Sequence, residues 1–286
     1  MSIRLIAMDL DGTLVGPAMQ VPERTHQALR RAVQQGCWIT IATGRSFPPV
    51  ARFARELGLN APLLLCQGAL IRDHRDGAIL YREPIPLDLA RQVIDYAQTR
   101  GLPLQVHLED EPAYADRTNR LAARMEAISG ISTQVVDHLA AWLEHPPLKL
   151  MIYAEPEAIA SLLAELQARF GDRVQVVQSW HHLLEITRLH VSKGRALAWL
   201  AGQLGVAQAE TLAIGDHDND ISMLSWAGLG VAMSHATPAC QAAANVVAPQ
   251  LPESDPPAGR LRPDGRPYAP HDEGVAWAVE RYVLGQ

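Results

Sequence analysis

Cysteine is scarce in this 286-residue chain, which contains three. The count is odd, and no two cysteines stand in a Cys-x-x-Cys pair, which argues against a disulfide framework and against a cysteine-built zinc site. Reduced thiols are typical of the cytosol. We therefore expect a cytoplasmic protein.

Long hydrophobic runs and basic clusters are also missing. The stretch APLLLCQGALI is interrupted by Gln67 and Gly68 and is far shorter than the roughly 20 residues that cross a bilayer. The first residues lack the apolar core and cleavage site of a signal peptide. With a formal net charge of −6 and no Lys/Arg clusters, the chain has no nucleic-acid footprint. The sequence predicts neither a membrane nor a nucleic-acid partner, and it leaves open whether the protein is a monomer or a homo-oligomer.

Strand and helix patterns alternate at both ends of the chain. IRLIAMD, CWITIAT and TLAIGD have the continuous apolar character of strands buried on both faces, and helical patterns follow each of them. Repeated strand–helix units predict an α/β fold with a parallel sheet flanked by helices. In such sheets, ligands bind at the carboxyl ends of the strands.

The middle of the chain has a different pattern. From about Pro84, the strands PLQVHLE, LKLMIYAE, VQVVQ and LLEIT alternate polar and apolar residues, which is typical of a sheet exposed on one face. We therefore predict a second α/β unit over residues 84–187, inserted between core segments 1–83 and 188–286. Residues 249–270 are rich in proline, glycine and charge, which predicts a loop.

The first candidate site is Asp9-x-Asp11-Gly12-Thr13, at the end of the first strand. These residues are turn formers, so a plain turn is one explanation. Two acids two positions apart also repel each other unless a cation lies between them. Carboxylate ligands in small number suit Mg²⁺, which keeps several waters.

Two further motifs suit an anion. Thr43-Gly44-Arg45 ends the second strand, and its hydroxyl and backbone N–H groups either cap a turn or bind an anion. Lys193 follows Ser192, the expected N-cap of a helix. An ammonium at the positive end of a helix either turns into water or shares a bound anion with the helix terminus.

The fourth motif is GDHDND, residues 215–220. Acids in the first turn of a helix are common, which accounts for one or two of its carboxylates. DNDISMLSWAG has a helical pattern, and Asp216, Asn219 and Asp220 have i, i+3 and i+4 spacing, so one face would present all three. A cation would offset their repulsion. All four motifs fall at element ends on one predicted edge of the sheet.

Taken together, MDLDGTL, ATGR, SKGRAL and GDHDNDISML resemble the four motifs of the haloacid dehalogenase-like hydrolase superfamily, and within it the Cof-type, sugar-phosphatase-like branch. The resemblance implies a Rossmann-like core, an inserted α/β cap that selects the substrate, and Mg²⁺-dependent hydrolysis of a small phosphorylated metabolite. It implies that Asp9 is the nucleophile and that Asp11 is the general acid and base.

The same resemblance implies the ligands. Mg²⁺ would bind the Asp9 carboxylate, the backbone carbonyl of Asp11 and Asp216, with Asp220 supporting the metal shell from behind. Phosphate oxygens would be held by Thr43, Gly44, Lys193 and Asn219. Gly12 would let the backbone approach the phosphate.

Two departures from the family pattern stand out. Gln67-Gly68-Ala69 replaces the usual Asn-Gly-Ala, and segment 249–270 is longer than this branch usually carries. In the predicted cap, SWHH (residues 179–182) is a candidate substrate loop, although packing or surface residues explain it more simply.

Other functions remain open on these motifs. A phosphomutase or phosphotransferase would pass the phosphoryl group to a sugar. A phospho-receiver domain would use similar residues but needs neither an acid–base at Asp11 nor an inserted domain. A catalytically silent binding protein could share the fold.

Overall fold

The computed structural model describes residues 2–16, 18–109, 113–116, 133–180, 182–251 and 272–286. Strands and helices alternate along these ranges, so the α/β class predicted from the sequence is confirmed. No described helix is both long and apolar enough to cross a membrane. His181 and most of the predicted loop at 249–270 lie outside the described residues.

The first sheet consists of five parallel strands. β1 (Leu5–Met8) lies between β2 (Trp38–Ile41) and β12 (Thr211–Gly215), and β13 (Leu229–Ala232) and β14 (Val246–Val247) extend the β12 side. Because all five strands are parallel, their carboxyl ends meet at one edge. The residues after β1, β2 and β12 therefore come together, as the sequence predicted.

Helices cover both faces of this sheet. In β1, Ile6 and Met8 join the apolar cluster of one face, whereas Leu5 and Ala7 join that of the other, as the period of two in a strand requires. Ser192 is an N-cap as predicted, because its Oγ accepts from the backbone N–H of Arg195 at 3.2 Å. The helices of this part are α1 (Glu23–Gln34), α2 (Phe47–Glu56), α6 (Lys193–Gln203), α7 (Ile221–Trp226), α8 (Pro238–Ala243) and α9 (Gly274–Val279).

A small antiparallel sheet follows α2. It contains β3 (Leu63–Leu65), β4 (Leu70–Arg72) and β5 (Ile79–Arg82), and a bridge from Ala42 to Leu64 ties it to the end of β2. The turn between β3 and β4 carries Gln67 and thus begins beside the edge where the parallel strands end.

The second sheet has six strands in the order β10-β11-β9-β6-β7-β8. Its pairs are antiparallel except β7 with β8. The strands are β6 (Leu104–His107), β7 (Ala113–Asp116), β8 (Thr133–Val136), β9 (Lys149–Tyr153), β10 (Val174–Trp180) and β11 (Leu183–Arg188). The helices are α3 (Leu87–Thr99), α4 (Leu139–Trp142) and α5 (Pro156–Phe170).

The polar face of this second sheet is not exposed as its pattern predicts. Alternation does place apolar residues such as Leu150 and Ile186 in the cluster formed with the helices. The opposite face, however, carries polar side chains that are buried. The expectation was wrong here because loops of the first part of the chain cover this face: Lys149 Nζ, for example, donates to the Gly44 carbonyl at 2.6 Å. The buried polar residues are Gln105, His107, Lys149, Glu185 and Thr187.

Candidate active site

A buried lysine lies at the centre of the edge where the parallel strands end. Asp9 follows β1, and Lys193 opens α6. The Lys193 ammonium lies 2.7 Å from Asp9 Oδ1 and 2.6 Å from Asp220 Oδ1. A fully buried lysine is rare unless it is paired, and this one has two carboxylates. One cation therefore links the first, third and fourth sequence motifs.

The cluster holds more negative than positive charge. Carboxylate oxygens of Asp9, Asp216 and Asp220 lie within 4.8 Å of one another. Burial, with Asp220 as the next cause, raises the pKa of Asp9 well above its usual range despite Lys193. Burial and Asp220 also raise the pKa of Asp216 to about 6. These shifts indicate a place where a further cation would be stabilised.

The pKa of Lys193 is raised as well, but by its partners rather than by burial. Burial alone would lower the pKa of its ammonium, but Asp220 and Asp9 outweigh burial and raise the pKa above the ordinary lysine value. The side chain is therefore a permanent positive charge at neutral pH.

Asp220 supports the neighbouring backbone. Its Oδ2 accepts from the N–H groups of Asp216 at 2.9 Å and His217 at 3.1 Å, while Oδ1 accepts from Lys193. These bonds draw residues 216–220 into a tight turn, and the α-helix begins only at Ile221. The predicted helix over DNDISMLSWAG is thus shorter than expected, and Asp216, Asn219 and Asp220 converge through a turn rather than along a helix face.

Gly12 faces Asp216. Its φ of +85° favours glycine, and a Cβ there would lie 2.4 Å from Asp216 Oδ2. Thr13 Oγ1 donates to the other oxygen, Asp216 Oδ1, at 2.6 Å. The Gly-Thr pair of the first motif therefore fits the backbone against a carboxylate some 200 residues away in the chain.

Asp11 turns toward an arginine. Arg45 Nε and Nη2 each donate to one Asp11 oxygen at 2.7 Å, in the bidentate geometry that suits a guanidinium and a carboxylate. Sequence reasoning assigned no role to Arg45, although the residue stands in the ATGR motif. The two acids of the first motif are thus separated: Asp9 is with Lys193, and Asp11 is with Arg45.

The predicted phosphate ligands surround the same edge. Thr43 is buried, and its Oγ1 accepts from the N–H of Arg45 at 3.1 Å. A Cβ at Gly44 would lie 2.5 Å from Gln67 Nε2 and 2.7 Å from Glu185 Oε1, so a side chain there would push these two hydrogen-bonded groups away. Asn219 Nδ2 donates to Gln67 Oε1 at 3.2 Å.

Three buried residues at this place were missed by the sequence analysis as a group. Lys149 Nζ donates to Glu185 Oε2 at 2.9 Å, and Gln67 Nε2 donates to Glu185 Oε1 at 3.1 Å. The signals were present but separate: a departure from the family pattern at Gln67, and polar positions on two strands of the second sheet.

The candidate substrate loop SWHH (residues 179–182) is described only in part, because His181 lies outside the described residues. His182 lies beside Tyr153, with ring centroids 6.2 Å apart, and the role of this segment as a substrate loop stays a prediction.

Known proteins resemble this chain over most of its length. A family model described as haloacid dehalogenase-like hydrolase matches residues 6–255. The HMP-PP phosphatase of Cronobacter sakazakii is 31% identical over 235 residues, covering 82% of this chain and 85% of that protein. The pyridoxal phosphate phosphatase YbhA of Escherichia coli is 29% identical over 270 residues, covering 86% and 93%. A haloacid dehalogenase-like hydrolase structure from Bacteroides thetaiotaomicron has a TM-score of 0.78 at 25% identity, covering 98% and 99% of the two chains.

Proposed function

This chain belongs to the family of haloacid dehalogenase-like hydrolases and is a phosphatase of that family, and we propose that it hydrolyses a small phosphorylated metabolite through an aspartyl-phosphate at Asp9, with Mg²⁺ as cofactor. The resemblance predicted from the four motifs is confirmed. The observation that carries the proposal is the buried Asp9 carboxylate between Lys193 and the Asp216–Asp220 turn.

The proposed reaction has two displacements at phosphorus. An oxygen of Asp9 forms a bond to phosphorus as the bond to the ester oxygen breaks, and Asp11 gives its proton to that leaving oxygen. Water then attacks the phosphorus and returns a proton to Asp11, which releases phosphate and restores the Asp9 carboxylate. In the structure, two hydrogen bonds from Arg45 occupy both oxygens of Asp11 and favour the ionised carboxylate, so the proposed acid role requires Asp11 to leave this pair when it takes up its proton.

The residues fit a divalent cation. Both Asp220 oxygens already accept hydrogen bonds, which leaves Asp9 and Asp216, with the Asp11 backbone carbonyl, as the proposed ligands and Asp220 as their support. The raised pKa values of Asp9 and Asp216, caused mainly by burial, are those of carboxylates that need added positive charge to ionise. When bound, Mg²⁺ supplies that charge and offsets the charge of the phosphate.

Phosphate positioning falls to groups of this chain. We propose that the Lys193 ammonium offsets part of the negative charge of the phosphate. The phosphate oxygens would be held by Thr43, the backbone of Gly44 and Asn219. Phosphoryl transfer depends mainly on alignment and charge neutralisation, which such a set supplies.

We propose that residues 84–187, which contain the second sheet and its helices, form a cap domain. The cap would lie on the core formed by residues 1–83 and 188–286 and would select the substrate. The relatives act on pyridoxal phosphate and on HMP-PP by name, so both belong among the candidate substrates beside sugar phosphates. The cytoplasmic location remains a prediction.

A panel of phosphorylated metabolites assayed with and without Mg²⁺ tests the proposal. We expect Mg²⁺-dependent phosphate release from at least one ester and from p-nitrophenyl phosphate, abolished by EDTA and restored by added Mg²⁺. Turnover that is unchanged after exhaustive metal removal would contradict the metal assignment.

A further inference from the structure

The turn between β3 and β4 holds Gln67 in a conformation that glutamine does not favour. Cys66 and Gln67 have φ values of 51° and 60°, in the left-handed region. Backbone bonds maintain this turn: the Gln67 N–H donates to the Thr43 carbonyl at 3.1 Å, and the Cys66 N–H to the Arg45 carbonyl at 3.0 Å. Asparagine tolerates such a conformation better, so the backbone gives no reason for glutamine here. Glutamine differs from asparagine in having a side chain that is one methylene longer.

The side-chain amide of Gln67 therefore contacts both the second sheet and a proposed phosphate ligand. Gln67 Nε2 donates to Glu185 on β11, and Gln67 Oε1 accepts from Asn219 Nδ2. Lys149 on β9 holds the far oxygen of Glu185 and also donates to the Gly44 carbonyl. The result is a continuous chain of hydrogen bonds, which we call the amide relay, from Lys149 through Glu185 and Gln67 to Asn219.

The chemistry of these groups gives the amide relay one direction. A carboxylate only accepts, so Gln67 must turn its NH₂ toward Glu185 and its carbonyl oxygen toward Asn219. Asn219 must then present its NH₂ to Gln67. An amide NH₂ carries two N–H bonds, so the second remains for another acceptor.

The orientation of the Asn219 amide leaves one of its own polar atoms without a hydrogen bond. Its Oδ1 is buried and has no hydrogen-bond partner among the described residues. A buried oxygen without a donor is unfavourable, so the hydrogen bond from Asn219 Nδ2 to Gln67 Oε1 is what holds the amide in this orientation. The amide relay therefore imposes an orientation that keeps a donor at the place where the proposed phosphate would lie.

We propose that Glu185, held by Lys149, is a positioning residue that acts through Gln67 to fix the Asn219 amide with its nitrogen toward the phosphate. The inference rests on the proposed function, in which Asn219 is a phosphate ligand. Lysine use supports it: Lys149 and Lys193 are the only lysines of the sequence, and both are buried at this edge, whereas the other 23 of its 25 basic residues are arginines.

The first test is Glu185→Gln, which keeps the shape. Because Lys149 only donates, the new amide must turn its oxygen to Lys149 and its NH₂ to Gln67, which favours the reversed orientation of both the Gln67 and the Asn219 amides. We expect the Kd for inorganic phosphate, measured by calorimetry with Mg²⁺, to rise about 10-fold, the size of one lost hydrogen bond to a charged group. KM for the ester should rise similarly with kcat little changed, because phosphate is held in both ground and transition states.

The matched control is Glu165→Gln. Glu165 pairs with Arg100 at the surface of the second unit, and the same change there should leave both constants unchanged. An unaltered Kd for phosphate in Glu185→Gln, or an equal change in the control, would overturn the inference.

The second test exchanges the two groups. Gln67→Glu alone places two carboxylates face to face and should weaken phosphate binding. In the double variant with Glu185→Gln, the new amide can donate to the new carboxylate, whose other oxygen still accepts from Asn219 Nδ2. We expect the double variant to bind phosphate within about threefold of wild type, a non-additivity that only interacting residues produce.

Losses that simply add in the double variant would overturn the relay. Should Gln67→Glu alone fail to fold, Glu185→Gln against its control still decides. Because phosphate binding is measured apart from turnover, a protein that shows this binding pattern but hydrolyses no ester keeps the inference and overturns the proposed function.

Discussion

The two lysines of this chain are both buried, yet their surroundings differ. Lys193 lies between two carboxylates, Asp9 and Asp220, with Asp216 close by. Lys149 has one carboxylate, Glu185, and one backbone carbonyl, Gly44. The first group carries surplus negative charge, whereas the second is balanced.

The difference in net charge around the two lysines suits different roles for them: binding of a ligand at one place, and positioning of neighbouring side chains at the other. A surplus of buried carboxylates is unfavourable unless a ligand brings positive charge, so the Lys193 cluster has the charge expected of a cation-binding site. A balanced ion pair with its hydrogen bonds satisfied needs no ligand and can orient its neighbours. We therefore propose that the same residue type, buried in both places, serves two purposes according to the charge around it.

The largest effect is expected from Asp9→Asn. Turnover should fall by at least about 10³-fold, because an amide is a poor nucleophile toward phosphorus. Stability without metal should not fall, since burial and Asp220 raise the pKa of the Asp9 carboxyl, and its ionisation therefore opposes folding. Steady-state kinetics and urea unfolding measure the two. A variant with near-wild-type kcat would remove Asp9 as nucleophile.

The two lysines can be compared directly by replacing each with methionine. Lys193→Met leaves two buried carboxylates without their cation, and we expect it to cost about 3–5 kcal/mol of unfolding free energy. Lys149→Met leaves only Glu185 and should cost less. Removing Glu185 as well, in Lys149→Met/Glu185→Leu, should recover part of that loss. Equal costs for the two single variants would show that the charge surplus does not distinguish the sites.

Mg²⁺ should raise the melting temperature through the Lys193 cluster alone. At 100 times its Kd, a ligand of the native state adds about 2.7 kcal/mol. We expect the shift to be lost in Asp216→Asn and kept in Glu185→Gln. Burial raises the pKa of Asp216 to about 6, and a metal needs the ionised form, so the shift should shrink from pH 7.5 to pH 5. A shift independent of Asp216 would place the metal elsewhere.

The smallest effect concerns His107, on the buried polar face beside Lys149. Burial, and then the charge of Lys149, lower the pKa of His107 well below its usual value. The unfolded chain binds a proton below about pH 6.5 while the folded protein does not, so this histidine contributes stability that is lost as pH falls below that value.

His107→Gln should therefore flatten the loss of stability between pH 7 and pH 5, by at most about 1.4 kcal/mol per pH unit. Urea unfolding at a series of pH values measures this, with the exposed His145→Gln as control. An unchanged slope in His107→Gln would mean that this histidine is not held neutral.

The sequence predicted one half of the site better than the other. Asp9, Thr43, Lys193 and Asp216 stand at element ends, and a parallel sheet brings such ends together whatever the details of packing. Their positions could therefore be inferred from local patterns alone.

The partners of Gln67 could not be inferred in this way. Gln67 and Glu185 are 118 positions apart, and Lys149 and Glu185 lie on strands whose alternation marks a polar face without saying what covers it. Arg45 stood in one of the four motifs, but its pairing with Asp11 joins residues 34 positions apart, and no local pattern predicts such a contact. Contacts between distant parts of the chain depend on how their surfaces pack together, which no local sequence pattern predicts.

The most direct test of Asp9 as the nucleophile is rapid acid quench of the enzyme during turnover of a ³²P-labelled phosphate ester, followed by peptide mapping. We expect a labelled, acid-stable aspartyl-phosphate on the peptide that contains Asp9, and no label on the Asp9→Asn variant. Label on a peptide without Asp9, or label retained by Asp9→Asn, would contradict it.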